Sequence, residues 1–218
     1  MDETEVEAGL REAIRDHGRL LFGRGFSVGT AGNISVRLPG GAGYLVTPTN
    51  SSLGRLDPDR ISRLDAGWVH VGGDRPSKEV PMHRAVLDAR PEAGAVVHLH
   101  STHATAVSCL AAPGEDAPVP PLTPYFVMRV GQRLPVLPYV RPGDPAMGEA
   151  VGAAIRSGAR AVLLANHGPV VSGATLDEAV WAAEELEEAA RLALLLRGVP
   201  GARALTPAQV DDLLATFG

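Results

Sequence analysis

The stretch from Asn33 to Thr47 restricts the available folds more than any other part of the chain. Asn33-Ile34-Ser35-Val36-Arg37-Leu38 alternates polar and apolar side chains, Pro39 to Gly43 supplies a turn, and Tyr44-Leu45-Val46-Thr47 alternates again. Two period-2 segments joined by so short a turn form an antiparallel hairpin, because parallel neighbours need a crossover of about a dozen residues or more. The hairpin therefore argues against an all-parallel sheet.

Elsewhere helical and strand periodicities alternate. Val6, Leu10, Ile14 and Leu21 recur among charges at helical spacing, which predicts an amphipathic helix over 3–22 that ends near Gly23 or Gly25. Residues 68–71 form a short strand by pattern. Ser77 is placed to cap a helix that tolerates Pro81 in its first turn and stops at Ala89, before Pro91. Residues 95–100 have the composition of a buried strand, Ser101 or Thr102 caps a helix through Ala112, and the Pro-rich segment 113–124 is a loop. A strand over 135–140, a helix over 145–157 with Gly158 as its left-handed stop, a strand over 160–165, a turn at Asn166-His167-Gly168 and a strand over 169–171 follow. Thr175 with Glu178, and Thr206-Pro207 with Gln209, open two last helices, the first ending near Arg197. Strands interleaved with helices, with hairpins among them, place the chain in the α/β class with a mixed sheet.

With 218 residues, 45% of them apolar, and no linker or charge run, the expectation is one domain over 1–218. A net charge of −5 without a basic stripe argues against nucleic acid as a partner. The apolar runs are far shorter than the ~20 residues of a membrane span. An acidic start and a single cysteine, Cys109, fit a cytoplasmic protein.

Histidine is the informative residue, with three of seven within six positions. A strand puts i and i+2 on one face, so His98 and His100 project together as a two-point clamp for a metal. Catalytic zinc usually takes three protein ligands and keeps one position open. His167, in a tight turn at the mouth of another apolar strand, is the best third candidate, and His103 the local competitor. Read without a metal, the pair is a half-buried strand face with ordinary hydrogen bonds. His17, His70 and His83 are read as structural. Glu79, expected in the first turn of its helix, is a candidate base or fourth ligand stabilised by the helix's positive end, or else an ordinary first-turn charge.

Gly29-Thr30-Ala31-Gly32-Asn33, Thr47-Pro48-Thr49-Asn50-Ser51-Ser52 and Ser77-Lys78 add backbone N–H groups, hydroxyls and a lysine, the donors a phosphate dianion uses. None matches a Walker loop or a dinucleotide fingerprint. Together they point to a phosphorylated substrate.

The ordered set 29–37 (Gly-Thr-Ala-Gly-Asn-Ile-Ser-Val-Arg), 47–49 (Thr-Pro-Thr), 76–79 (Pro-Ser-Lys-Glu), 96–101 (Val-Val-His-Leu-His-Ser) and 165–169 (Ala-Asn-His-Gly-Pro) resembles the class II aldolase/adducin family nearly end to end. Segments 52–58, 77–79, 122–131 and 138–145 are most similar to the branch that decarboxylates 3-oxo-tetronate 4-phosphates. The resemblance implies a three-layer α/β/α fold with a central, mostly antiparallel mixed sheet. It implies Zn2+, or another divalent metal such as Co2+ or Mn2+, held by His98, His100 and His167. Glu79 would be the acid/base that also ligates the metal when substrate is absent. A phosphate site is implied at Gly32, Asn33, Thr49, Asn50, Ser77 and Lys78. A homotetramer is implied, with Tyr125, Arg129 and Tyr139 as candidates to complete a neighbour's site.

The reaction implied is loss of CO2 from a phosphorylated four-carbon sugar acid through a metal-stabilised enediolate, giving dihydroxyacetone phosphate. Thr49-Asn50 and Ser77-Lys78 depart from the Thr-Gly and Ser-Ser usual in the sugar-phosphate aldolases. An aldolase of the fuculose- or rhamnulose-phosphate type is the first alternative, and a non-catalytic adducin-like binding module the second, though the latter has lost the metal set that this chain keeps. His98-Leu99-His100-Ser101-Thr102-His103 also resembles a metallo-β-lactamase-type motif, but Thr102 stands where that motif needs Asp.

Overall fold

The computed structural model describes residues 3–217; Met1 and Asp2 of the acidic start, and Gly218, lie outside it. In chain order the elements are α1 (Glu3–Gly23), β1 (Asn33–Arg37), β2 (Tyr44–Val46), β3 (Ser62–Leu64), β4 (His70–Gly72), α2 (Val80–Ala89), β5 (Ala95–His98), α3 (Thr102–Leu110), α4 (Pro124–Arg129), β6 (Val136–Leu137), α5 (Pro145–Arg156), β7 (Ala161–Leu164), β8 (Gly168–Gly173), α6 (Leu176–Leu195) and α7 (Pro207–Phe217). The strands form one eight-stranded sheet in the order β4-β3-β2-β1-β5-β8-β7-β6. The expected hairpin is the β1–β2 pair, and every pairing is antiparallel except β6 with β7.

Strand alternation divides the core between the two faces of this sheet. Ile34, Val36, Ala95 and Val97 pack with Ile14 and Leu21 of α1, Val107 of α3, Phe126 of α4 and Leu186 of α6. Val46, Val96, Val162 and Val170 pack on the other face with Met82 and Val86 of α2 and Val151 and Ile155 of α5. These are the three layers expected. No helix among the described residues is long and apolar enough to cross a membrane.

Several local expectations are corrected. The helix after Ser77 begins at Val80, not Lys78, so Glu79 is its N-cap residue rather than a first-turn residue. Pro81 explains the shift: as the second helical residue it is harmless, but in a helix begun at Lys78 it would have to donate the first backbone bond. Trp68 has φ +67 and stacks on Tyr44 at 3.7 Å, so the strand expected from residue 68 starts at His70. Pro135 and Pro138 confine the strand expected over 135–140 to Val136–Leu137. The three residues of β3 and the six of α4, which follows an N-cap at Thr123, give too little periodicity to read from sequence. The Thr175 and Thr206 caps form as expected.

Candidate functional site

The site lies where the central strand β5 ends. Its neighbours are antiparallel on both sides, with His98 opposite Asn33 of β1 and opposite Val170 of β8. His98 shares a face with Val96 and so points toward the α2 layer. Beyond β8's start, Asn166 at φ +55 and Gly168 at φ +152 make the turn that aims His167 at the same point. A Cβ on Gly168 would collide with the Leu99 carbonyl oxygen, so only glycine lets the turn approach β5 this closely.

Three imidazoles converge there. Nε2 of His100 lies 3.1 Å from Nε2 of both His98 and His167, and the three ligand atoms fall within 4.8 Å of one another. The Pro169 carbonyl can only accept, so the 2.8 Å bond to Nδ1 of His98 places that ring's proton on Nδ1 and leaves the Nε2 lone pair facing the cluster. Four tetrahedral zinc ligands at ~2.0–2.1 Å sit roughly 3.3 Å apart. The two 3.1 Å edges that meet at His100 and the fixed tautomer of His98 are those a divalent metal would use. Burial is the leading cause that holds all three rings below the usual histidine range, His98 at about 3. They are neutral near pH 7, the form that ligates metal.

Glu79 closes the cluster from the N-terminus of α2. Its Oε1 is 3.5 Å from Nε2 of His167 and its Oε2 is 3.7 Å from Nε2 of His98. Oε2 also accepts from Nδ2 of Asn33 at 2.7 Å, and the Glu79 amide donates to Ser77 Oγ at 3.2 Å. Burial pushes the carboxyl up most strongly, but His98, the Asn33 amide, His167 and His83 together hold it below the usual carboxylate range.

One cavity of about 330 Å³ brings together Gly32, Asn33, Thr49, Asn50, Ser77, Lys78, Glu79, His100 and His167, with His98 behind them. Asn50 has φ +56, so asparagine does adopt the left-handed turn where a glycine is the common choice. Thr30 and Pro142 join the wall and were not singled out in the sequence, although Thr30 lies inside the Gly-rich turn. Tyr125 and Arg129 line a different cavity, where Arg129 lies over the ring of Trp181, and Tyr139 is exposed on a loop.

His103, the competing ligand, is turned away: its Nδ1 lies 2.8 Å from Oε1 of the buried Glu187 on α6. Neither Ser101 nor Thr102 caps α3 as expected. Ser101 sits at the N-cap without a side-chain bond, and Glu187 accepts the His103 and Ala104 amides instead, each at 2.9 Å. The signal for Glu187 was available, since an acid at that position breaks the stripe of Val180, Ala183 and Ala190 on α6.

The family described as Class II Aldolase and Adducin N-terminal domain matches residues 12–194, most of the chain. This chain belongs to that family. Among class II aldolase relatives, the 3-oxo-tetronate 4-phosphate decarboxylase of Escherichia coli O6:H1 is 45% identical over 212 residues, covering 97% of this chain and 98% of the relative. The L-fuculose phosphate aldolase of the same strain is a more distant relative, 37% identical over 170 residues and covering 78% and 75%. The crystal structure of YgbL from Escherichia coli superposes with a TM-score of 0.90 at 44% identity, covering 95% of this chain and 99% of that one.

Proposed function

We propose that this chain is a metal-dependent carboxy-lyase that converts a 3-oxo-tetronate 4-phosphate to dihydroxyacetone phosphate and CO2. The observation that carries the chemistry is the Glu79 carboxylate wedged between the histidine cluster and a cavity of phosphate-type donors. The substrate assignment is supported by the end-to-end similarity to decarboxylases, against the partial and weaker similarity to the fuculose-phosphate aldolase.

His98, His100 and His167 hold the metal, zinc or another divalent ion such as cobalt or manganese, with Glu79 as an additional ligand when no substrate is bound. When bound, the metal supplies Lewis-acid polarisation of the substrate's oxo and hydroxyl oxygens. The backbone of Gly32 and Asn33, the backbone and side chains of Thr49, Asn50 and Ser77, and the Lys78 ammonium bind the phosphate and fix the distance from it to the reacting carbon. As the C1–C2 bond breaks, its electron pair passes to C2 and the adjoining oxo group, and the proton on Glu79 forms the new C2–H bond. An anionic substrate beside Glu79 raises that carboxyl's proton affinity, which gives the resting carboxylate its acid form at the moment it is needed.

The chain works as one class II aldolase-like domain over 1–218, in a cytoplasmic homotetramer where Tyr125, Arg129 and Tyr139 reach a neighbour's cavity. The exposure of Tyr125 and Tyr139 supports that placement. The test is CO2 release from a panel of 3-oxo-tetronate 4-phosphates with zinc, cobalt and manganese, beside aldol cleavage of fuculose 1-phosphate. His98→Ala abolishes metal binding and activity, and Glu79→Gln keeps the metal and loses turnover. A metal-free, fully active His98→Ala protein overturns the assignment.

A further inference from the structure

His83 on α2 is fully buried, outside the cluster, and bonded at both ring nitrogens. Its Nδ1 lies 2.7 Å from the Ser35 hydroxyl on β1, and its Nε2 makes a short bond with Oδ1 of Asn33. Asn33 is the residue whose Nδ2 reaches Oε2 of Glu79. Ser35, His83, Asn33 and Glu79 therefore form a buried line of hydrogen bonds ending at the carboxylate.

The polarity of that line follows from its end. An ionised carboxylate only accepts, so the Asn33 atom facing Glu79 is the amide nitrogen and Oδ1 faces His83. A carbonyl oxygen also only accepts, so His83 carries its proton on Nε2. Nδ1 then offers a lone pair, and the Ser35 hydroxyl donates to it. A neutral ring is required throughout, and burial, which depresses His83 to about 4, keeps it neutral near pH 7. Reversing the Asn33 amide would set Oδ1 against the carboxylate and Nδ2 against the Nε2–H of His83, two unmatched pairs in a buried site.

The two oxygens of Glu79 are thus inequivalent. Oε2 is occupied by Asn33, while Oε1 has no hydrogen bond among the described residues and faces His167. We infer that His83 is a positioning residue for Glu79: through the Asn33 amide it holds Oε2 as an acceptor and leaves Oε1 to take up and deliver the proton at the reacting carbon. The inference rests on the reading of Glu79 as proton carrier.

Two measurements test it. Nitrogen NMR of protein labelled with 15N-histidine reads the tautomer without substrate, and the expected result is Nε2–H for His83; an Nδ1–H tautomer overturns the inference. In the decarboxylation assay with zinc-loaded protein, His83→Leu lowers kcat by about 10- to 100-fold, the usual cost of losing an outer-shell partner, with KM and bound zinc within twofold. His83→Gln, whose side-chain N–H reaches Asn33, restores kcat to within about threefold, a rescue expected where the Nε2 donor is what matters. Paired with Asn33→Ala, His83→Leu costs nothing further, as expected when both act through one bond. An unchanged kcat in His83→Leu, equal losses in the Leu and Gln variants, or additive losses overturn it. Should leucine unfold this core position, the tautomer decides alone. An active Glu79→Gln protein would instead refute the proton-carrier reading and leave the tautomer result standing.

Discussion

Removing the Glu187 side chain should destabilise the protein far more than removing the Ser101 hydroxyl, although Ser101 occupies the capping position. Glu187 accepts the His103 and Ala104 amides and the His103 ring from within the core, where water cannot replace it. In Glu187→Ala two first-turn donors of α3 lose their acceptor, at about 1–3 kcal/mol each, with the half-buried His103 amide at the low end. Relief of a buried charge offsets part of this, so the net loss is about 3 kcal/mol. At ~2.1 cal/mol/K of unfolding entropy per residue, that lowers Tm by about 6 °C. Glu187→Gln retains one acceptor and should lose about half as much. The Ser101 Oγ is buried without a hydrogen-bond partner among the described residues, so Ser101→Ala should move Tm by about 1 °C at most. Equilibrium urea unfolding and thermal melts of chelator-treated protein measure all three. A Glu187→Ala protein within 1 °C of the parent, or a Ser101→Ala protein that loses more, would refute the capping assignment.

Further outcomes follow from the same geometry. Folded His83 is held at about 4 against about 6.5 when unfolded, so the unfolded chain binds the extra proton; its contribution is intact above pH 6.5 and is lost as pH falls toward 4, a loss of about 3 kcal/mol. Urea midpoints of metal-free protein from pH 7 to 4 should show that slope, diminished in His83→Gln; equal slopes would contradict it. Gly168→Ala places a methyl on the Leu99 carbonyl and should move the His167 turn away from β5, weakening zinc binding by more than about tenfold in a chelator competition, the effect of roughly 1–3 kcal/mol of local strain; parental affinity would show that the close approach is dispensable. Lys78 lines the cavity and has no ion pair among the described residues, so Lys78→Met removes a charged donor to substrate and should raise KM by about 10- to 100-fold with kcat within threefold. A lower kcat at unchanged KM would reassign Lys78 to the chemical step.

The His98 and His100 pair was legible from strand parity after an apolar run, and the two rings do meet, although β5 ends at His98 and His100, expected within the strand, lies just beyond it. His167 was legible from the turn chemistry of Asn166 and Gly168. The phosphate-type donors were legible as three separate loops, and folding brings all six residues to one cavity. At Glu79 two local signals compete: Ser77 can cap a helix begun at Lys78, but Pro81 has no N–H for that helix's first backbone bond, so the helix starts at Val80 with Glu79 as its N-cap. His83 was read as an ordinary core histidine, since nothing local says that β1 will lay Asn33 and Ser35 against its two nitrogens. Glu187 stayed hidden among Glu184, Glu185 and Glu188, where only its place on the buried stripe sets it apart. His83 and Glu187 share one cause: each is defined by contacts with residues far apart in sequence, which local pattern does not encode, whereas the shift at Glu79 is local.

The position of β5 also governs how the site moves. A strand hydrogen-bonded on both edges and covered on both faces opens only when the whole sheet does, so the amides of Val96, Val97 and His98 should exchange with solvent no faster than global unfolding allows. The turn that carries His167 is held by fewer bonds: the His167 amide donates to the Leu164 carbonyl, the Asn166 amide to the Ser108 carbonyl, and the Thr105 hydroxyl to the His167 carbonyl. Of the three imidazoles only His98 sits on β5 itself, so local opening of the segments that carry His100 and His167 should change the site before the sheet does.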